Sequence, residues 1–351
     1  MTSKKPLFLD EGGLSGDYSP IQKKFVHDIL KKYYGISGTI KRFETEKDDT
    51  FRVTPDNGTV FILKIANPKE TFKELDFQNS LLKHIEQRDC NLAIPRVLNT
   101  LDGREIFQIS DIHGSNRYVR ALSFISGTPL SDIKTNSNQR IQIGKVLARL
   151  RIATEGFSHE SENRLYAWDV QNLKMLENLL TEIEDQKKRT ALSKGLDRFS
   201  SIYPKLRECR KQVLHNDFSK SNIIVDPNDQ NFVKGIIDFG DIVKTAIAID
   251  LATAMLNQLP EKPQNDLFRE NRDILTGYMS ITELTEKEIA LVPHLVMGRI
   301  IARALITIWR TKRFPDNAQY IMRNTEQGWH QLDWFLNRSI DEVSEIFKDF
   351  P

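Results

Sequence analysis

Apolar positions follow two rhythms along the chain. From Gly38 they alternate with polar ones in short runs, the period of a half-buried strand, over Thr39 to Glu44, Thr50 to Thr54 and Thr59 to Ala66. Turn residues at Glu46 to Asp49 and at Pro55-Asp56-Asn57-Gly58 join these runs into a meander. Two further strands are predicted at Glu105 to Ser110 and Arg117 to Phe124. Helical spacing marks a segment opening near Pro20, with Ser19 as N-cap, Phe25, Ile29 and Tyr33 on one stripe and a stop at Gly35. A second helix is expected over Glu70 to Gln87, with Leu75, Leu82 and Ile85 inward.

Past Ile125-Ser126-Gly127-Thr128-Pro129 the helical rhythm takes over. Helices are predicted at Asn138 to Thr154, Asp169 to Glu182, Leu267 to Met279, Val292 to Arg313 and Ala318 to Leu336; the charged segment Glu182 to Arg189 reads as a solvated helix end. His159 and Trp168, in a connecting loop, read as packing or surface residues. One hairpin interrupts the helices: Ile223-Ile224-Val225 and Val233 to Ile237 flank a turn at Asp226 to Asp229. The chain divides into a polar arm (1–19), a sheet-bearing part (20–124) and a helical part (125–351), an α+β organisation.

Composition narrows the partner. At 351 residues the chain holds enough material for two cores. With 50 basic against 48 acidic residues and a net charge of +2, it lacks the electrostatic footprint of a nucleic-acid or membrane binder, so a small-molecule partner is expected. Cys90 and Cys209 carry no metal or redox spacing and read as ordinary thiols. No run reaches about 18 uninterrupted apolar residues, and MTSKKPLFLDEGG lacks the apolar run of a signal peptide, so a cytoplasmic location is expected.

The chemistry concentrates between Val213 and Ala254. His215, Asp217 and Asn222 share one turn region, and the returning strand of the hairpin delivers Asp238-Phe239-Gly240-Asp241 beside them. Phosphoryl transfer asks a protein chiefly to position phosphates, metal and acceptor hydroxyl and to neutralise developing charge. A magnesium ion needs few protein oxygens, because it keeps waters and takes phosphate oxygens. A carboxylate and an amide oxygen along one side of a loop meet that need.

This HxDxxxxN followed by DFG resembles the motifs of the protein-kinase-like fold. The wording LHNDFSKSNIIVD, GIIDFGD and AIDLA is similar to the aminoglycoside phosphotransferase and choline kinase superfamily. Lys64-Ile65-Ala66-Asn67, Asp76-Phe77-Gln78-Asn79, Val119-Arg120, Trp168-Asp169 and Ile308-Trp309-Arg310 look like its hydroxylysine kinase group. The resemblance implies a two-lobed fold, with a small antiparallel-sheet N-lobe and a mostly helical C-lobe, that uses Mg2+ and ATP or GTP. It implies Asp217 as catalytic base, Asn222 and Asp238 as metal ligands, Lys64 on the phosphates, backbone around Ser123 and Phe124 at the purine edge, and His215 and Asp250 bracing the catalytic loop. An acid on the following helix would pair with Lys64; Glu74, Asp76 and Gln78 compete, with Asp76 preferred. The first turn, Glu44 to Thr50, lacks the GxGxxG of protein kinases, and Asn216 stands where related kinases carry a small residue.

Little chain separates Asp241 from the next helix, leaving no platform for a peptide, so the acceptor is expected to be a small hydroxyl compound. An amino alcohol or hydroxy amino acid needs an acid for its ammonium group. Asp241 supplies one, or it caps a helix. Arg299, Arg303 and Arg310 share one helical segment and either meet a substrate carboxylate or serve packing. An antibiotic phosphotransferase and a catalytically silent nucleotide-binding module are the alternatives.

Overall fold

In the computed structural model, which describes residues 20–45, 48–262, 264–348 and 350, the predicted meander forms part of a larger sheet. The expected N-terminal arm, residues 1–19 with the Ser19 cap, lies outside the described residues. Strands β1 (Gly38–Arg42), β2 (Asp49–Pro55), β3 (Phe61–Ile65), β4 (Val97–Leu98), β5 (Ile106–Ser110) and β6 (Asn116–Ser123) make a six-stranded antiparallel sheet in the order β1-β2-β3-β6-β4, with β5 also on β6.

Alternation gives the sheet two unlike faces. Phe51, Val53, Phe61, Leu63, Ile65, Val119 and Ala121 share one cluster with α1 (Lys23–Ile29) and the π-helical turn Leu30–Tyr34. That segment stops at Gly35, in the left-handed region with φ of 66°, but begins three residues later than Pro20, after Gln22. Thr50, Arg52, Ile62, Lys64, Arg120 and Leu122 alternate with the buried set and take the opposite face. Within the first face Arg117 lies 2.8 Å from Asp49, both fully buried, and its guanidinium also donates to the carbonyls of Ala66 and Ile65 at 2.7 and 3.1 Å. Those extra acceptors offset the desolvation of the pair.

Helix α2 (Phe72–Arg88) opens on a capping box between Thr71 and Glu74. Its Phe77, Leu81, Leu82 and Ile85 join the large cluster of the helical lobe. The chain then leaves the sheet through β7 (Thr128–Pro129). Next come α3 (Ser137–Ala153), a 3-10 helix at Val170–Glu182, α4 (Gln186–Arg207), β8 (Lys211–Leu214), β9 (Ile223–Val225), β10 (Val233–Ile236), β11 (Val243–Ala246) and α5 (Ile247–Asn257). Helices α6 (Asn271–Met279), α7 (Glu286–Arg313), α8 (Ala318–Met322), α9 (Glu326–Leu336) and α10 (Ile340–Ser344) complete the lobe. β7, β9 and β10 form one small antiparallel sheet, and β8 and β11 another.

Three expectations are corrected. The segment after Asp169 is 3-10 rather than α-helical, with Asp169 accepting from the Gln171 amide as its cap. The charged run after Glu182 is the start of a helix rather than the tail of the one before: Asp185 caps the N-terminus of α4, a 22-residue helix whose buried Leu192, Leu196, Phe199, Ile202 and Leu206 are diluted by lysines and arginines. The last predicted helix breaks between Met322 and Glu326 into α8 and α9. Helix α7 is long and apolar enough to cross a membrane, but 83% of its most apolar window is buried within the fold, as in a core helix.

Helices α3 and α6 meet backbone to backbone. A Cβ at Gly144 would lie 2.0 Å from the Ile274 carbonyl oxygen, and one at Gly277 would lie 1.9 Å from that of Ile141. Gly277→Ala should therefore force the helices apart and destabilise the protein by about 1–3 kcal/mol. The measurement is the urea midpoint, which should fall at unchanged slope; an unaltered midpoint would contradict the tight crossing.

Candidate active site

The turn after β8 is built by hydrogen bonds that no helix or sheet supplies. Asp250, on α5 and only 2% exposed, accepts the backbone N–H groups of His215 (3.2 Å) and Asn216 (2.6 Å). Asn216 takes the left-handed conformation, φ 60°, which asparagine tolerates better than most residues. Its carbonyl accepts from Arg299 Nη2 at 3.2 Å, while Arg299 Nη1 donates to the Trp168 carbonyl. His215 spans the loop: its Nδ1 accepts from the Asp217 amide at 3.3 Å and its Nε2 lies 3.1 Å from the Ile237 carbonyl. This pairing places the ring proton on Nε2. The imidazole packs edge-on against Phe239, ring centroids 4.7 Å apart.

These bonds present Asp217 beside Asn222, whose Nδ2 donates to the Asp217 carboxylate (2.7 Å) and carbonyl (3.0 Å). The Ile237 amide bonds the Asn222 carbonyl at 2.9 Å, which brings Asp238 next to them. Asp238 is exposed, with φ 64°, and its Oδ1 lies 3.7 Å from Lys64 Nζ. Burial, then the negative charges of Asp241 and Asp238, push the Asp217 carboxyl up to about 6 against the opposing pull of Arg299 and His215. Lys64, Asp217, Asn222 and Asp238 thus converge, with His215 and Asp250 behind them.

Not every expected residue joins them. Asp76, expected beside Lys64, instead lies 3.2 Å from His159 Nε2, one face of α2 away. Glu74 is taken up by the capping box, and Gln78 reaches Lys64 only through a neighbour. Ser123 is satisfied within the sheet, its amide donating to the Arg96 carbonyl (2.8 Å) and its hydroxyl accepting from the Arg96 amide (2.8 Å). Of the backbone expected at a purine edge, the Ser123 amide is already bonded within the sheet. Phe124 itself stacks under the Arg52 guanidinium at 4.7 Å. Asp241 caps no helix: it sits in the turn Phe239–Asp241 and accepts from the Tyr166 hydroxyl.

Other residues enter that sequence reasoning missed. Lys64 Nζ is 3.0 Å from Asp48 in the β1–β2 turn. Burial alone would pull Lys64 down, but Asp48 and Asp238 outweigh it and the ammonium is held above its usual range. Cross-strand from Lys64 stands Arg120, only 5% exposed, its guanidinium gripped by the side-chain oxygens of Gln78 and Asn79 (the latter at 2.9 Å). Glu70 lies within its field, and burial together with Asp48 raises that carboxyl. The Val119-Arg120 wording marked the position, but only strand register reveals the pairing. Arg164 likewise anchors the segment after Asp238, donating to the carbonyls of Gly240 (2.6 Å) and Ile242 (2.9 Å).

A two-lobed kinase-like fold with a carboxylate, an amide oxygen and a lysine gathered at its cleft defines a phosphotransferase that acts on a hydroxyl group. The chain belongs to the phosphotransferase enzyme family (APH), whose pattern it matches over residues 39–280. It is 24% identical over 343 residues to hydroxylysine kinase of Mus musculus, covering 91% of this chain and 90% of that protein. In structure it resembles a microcompartment-associated aminopropanol kinase, TM-score 0.72 at 17% identity over 90% of this chain and 98% of the other. It also resembles the amicoumacin kinase hAmiN bound to AMP-PNP, Ca2+ and Ami, TM-score 0.67 at 15% identity over 87% of this chain and 94% of the other. These structural likenesses show the fold.

The brace is testable. Asp250→Ala leaves the His215 and Asn216 amides buried without an acceptor and should cost about 2–5 kcal/mol, read as a lowered urea midpoint. Asp250→Asn keeps one acceptor oxygen and should lose less; equal midpoints for the alanine variant and the parent would remove Asp250 from this role.

Proposed function

We propose that the protein transfers the terminal phosphoryl group of ATP or GTP to a hydroxyl of an amino alcohol or hydroxy amino acid. The observation that carries this reading is the convergence of Asp217, Asn222, Asp238 and Lys64 on one cleft, in an order of parts suited to phosphoryl transfer. The hydroxylysine and aminopropanol kinases to which the chain is similar support the acceptor class, and the AMP-PNP complex supports a nucleoside triphosphate donor.

In this reading Asp217 accepts the proton of the acceptor hydroxyl, or orients it, for in-line attack on the terminal phosphorus. The Asn222 amide nitrogen faces Asp217, which turns its Oδ1 away; that oxygen and the exposed Asp238 carboxylate form a hard two-oxygen set that fits Mg2+. Bound there, Mg2+ would neutralise phosphate charge. Lys64 steadies the same phosphates and leaves Asp48 to do so. Asp241 offers its carboxylate to an acceptor ammonium group. The mixture of Asp241 with Arg299 and Arg303 around Asp217 suits a small acceptor better than the polycation an aminoglycoside pocket must hold. The reading divides the chain into a nucleotide lobe (20–124) and an acceptor lobe (125–351), and the free thiols of Cys90 and Cys209 support a cytoplasmic place.

Asp217→Ala should lower turnover by roughly 10²–10⁴-fold while Mg2+-dependent nucleotide binding persists; near-normal turnover would sink the assignment. Asp238→Ala should lose that binding as well. With the carboxyl raised to about 6, kcat should fall as pH drops below that value and Asp217 takes up a proton. Asp241→Asn removes one of the charges that raise it, so the acid limb should move to lower pH; an upward move would exclude Asp217 as the titrating base.

A further inference from the structure

Arg299, Arg303 and Thr307 follow at four-residue steps on α7 and share one stripe. The two outer members have partners that locate the stripe. Arg299 donates to Asn216, the residue before Asp217, and the Thr307 hydroxyl bonds that of Thr325 at 3.0 Å. Arg303 lies between them, half-buried, beside the break between α8 and α9. Its guanidinium lies within the electrostatic reach of both Arg299 and Asp217. Its protein bond is a long one, 3.4 Å to the Asn324 carbonyl, and among the described residues no carboxylate pairs with it.

A partly desolvated cation beside a second cation is costly to keep. Burial and the charge of Arg299 pull the Arg303 guanidinium down to about 10, against the attraction of Asp217. A fold that retains such a group near Asp217 gains from it when an anion arrives. The planar fork of five donors matches a carboxylate in two-point contact. Asp241, whose charge Asp217 also feels, offers the opposite sign. Asp217 is therefore within reach of one acid and of one arginine that has no carboxylate partner among the described residues, a charge pattern complementary to an α-amino acid head group and not to a bare amine.

We propose that Arg303 binds the carboxylate of the acceptor, so that the substrate is a hydroxylated amino acid rather than the amino alcohol left by its decarboxylation. This rests on the kinase reading above. Arg299 holds the loop, and Arg303 selects the acceptor.

The test compares matched acceptors that differ by the carboxylate alone: serine with ethanolamine, and homoserine and hydroxylysine each with its decarboxylated counterpart. Each pair is assayed with Mg2+ and ATP or GTP on the full chain. The parent should favour the carboxylate member by roughly 10- to 100-fold in kcat/KM. Arg303→Gln should raise KM for that member and bring the ratio near one. Arg303→Lys, which keeps the charge without the fork, should give an intermediate ratio and covers the case in which the glutamine variant does not fold. A parent that uses both members equally or prefers the decarboxylated one, or a ratio that either variant leaves unchanged, overturns the carboxylate site while the kinase reading stands. No turnover of any member by the parent overturns both.

Discussion

A single buried carboxylate holds the reactive turn. The loop after β8 has no ladder partner for its amides, and a buried N–H without an acceptor is among the costlier defects a fold can carry. Asp250 removes two such defects together, at His215 and Asn216, and Arg299 closes the opposite side by donating to the Asn216 carbonyl. Burial raises the Asp250 carboxyl, and these donors together with His215 work against that rise. With the turn set, His215 transmits its position to Ile237, so the strand end bearing Asp238 is placed by the same bonds that place Asp217.

The small lobe solves its charge problem differently. The helix that packs on the sheet presents no carboxylate to Lys64; its Gln78 and Asn79 grip Arg120 with neutral oxygens. Amide acceptors orient a guanidinium without cancelling its charge. Lys64 meanwhile takes its carboxylates from Asp48 in the turn above and Asp238 in the other lobe. The cleft therefore keeps two cations side by side on adjacent strands, both within the field of Asp238, which suits a ligand as strongly anionic as a triphosphate.

What the sequence disclosed follows the range of the interactions involved. Strands β1 to β3, β5 and β6 were legible because apolar and polar residues alternate along much of their length. Asp217, Asn222 and Asp238 were legible as an ordered set, and the hairpin between them explains why they meet. Helix α4 was not, since its apolar stripe is interrupted by charge, and β4 is two residues long. Asp76, the expected partner of Lys64, has the right residue type on a helix face, yet its side chain turns to His159 on a loop 83 residues away. Asp48, Arg120 and Tyr166 owe their places to register and to loop packing, which no local window contains.

Helix α2 belongs to two parts of the molecule at once. By sequence it sits within the sheet lobe, but Phe77, Leu81, Leu82 and Ile85 are packed in the cluster that runs through α3, α5 and α7. Its hold on the sheet is both apolar and polar: Leu75 clusters with Ala66 and Ile106, Leu122 joins the cluster of Phe77 and Leu81, and Gln78 and Asn79 grip Arg120. Separating apolar side chains exposes them to water, whereas hydrogen bonds can be exchanged for equivalent ones as they move. Parting the lobes on either side of α2 therefore costs apolar contacts, so the helix acts as a tie held from both sides.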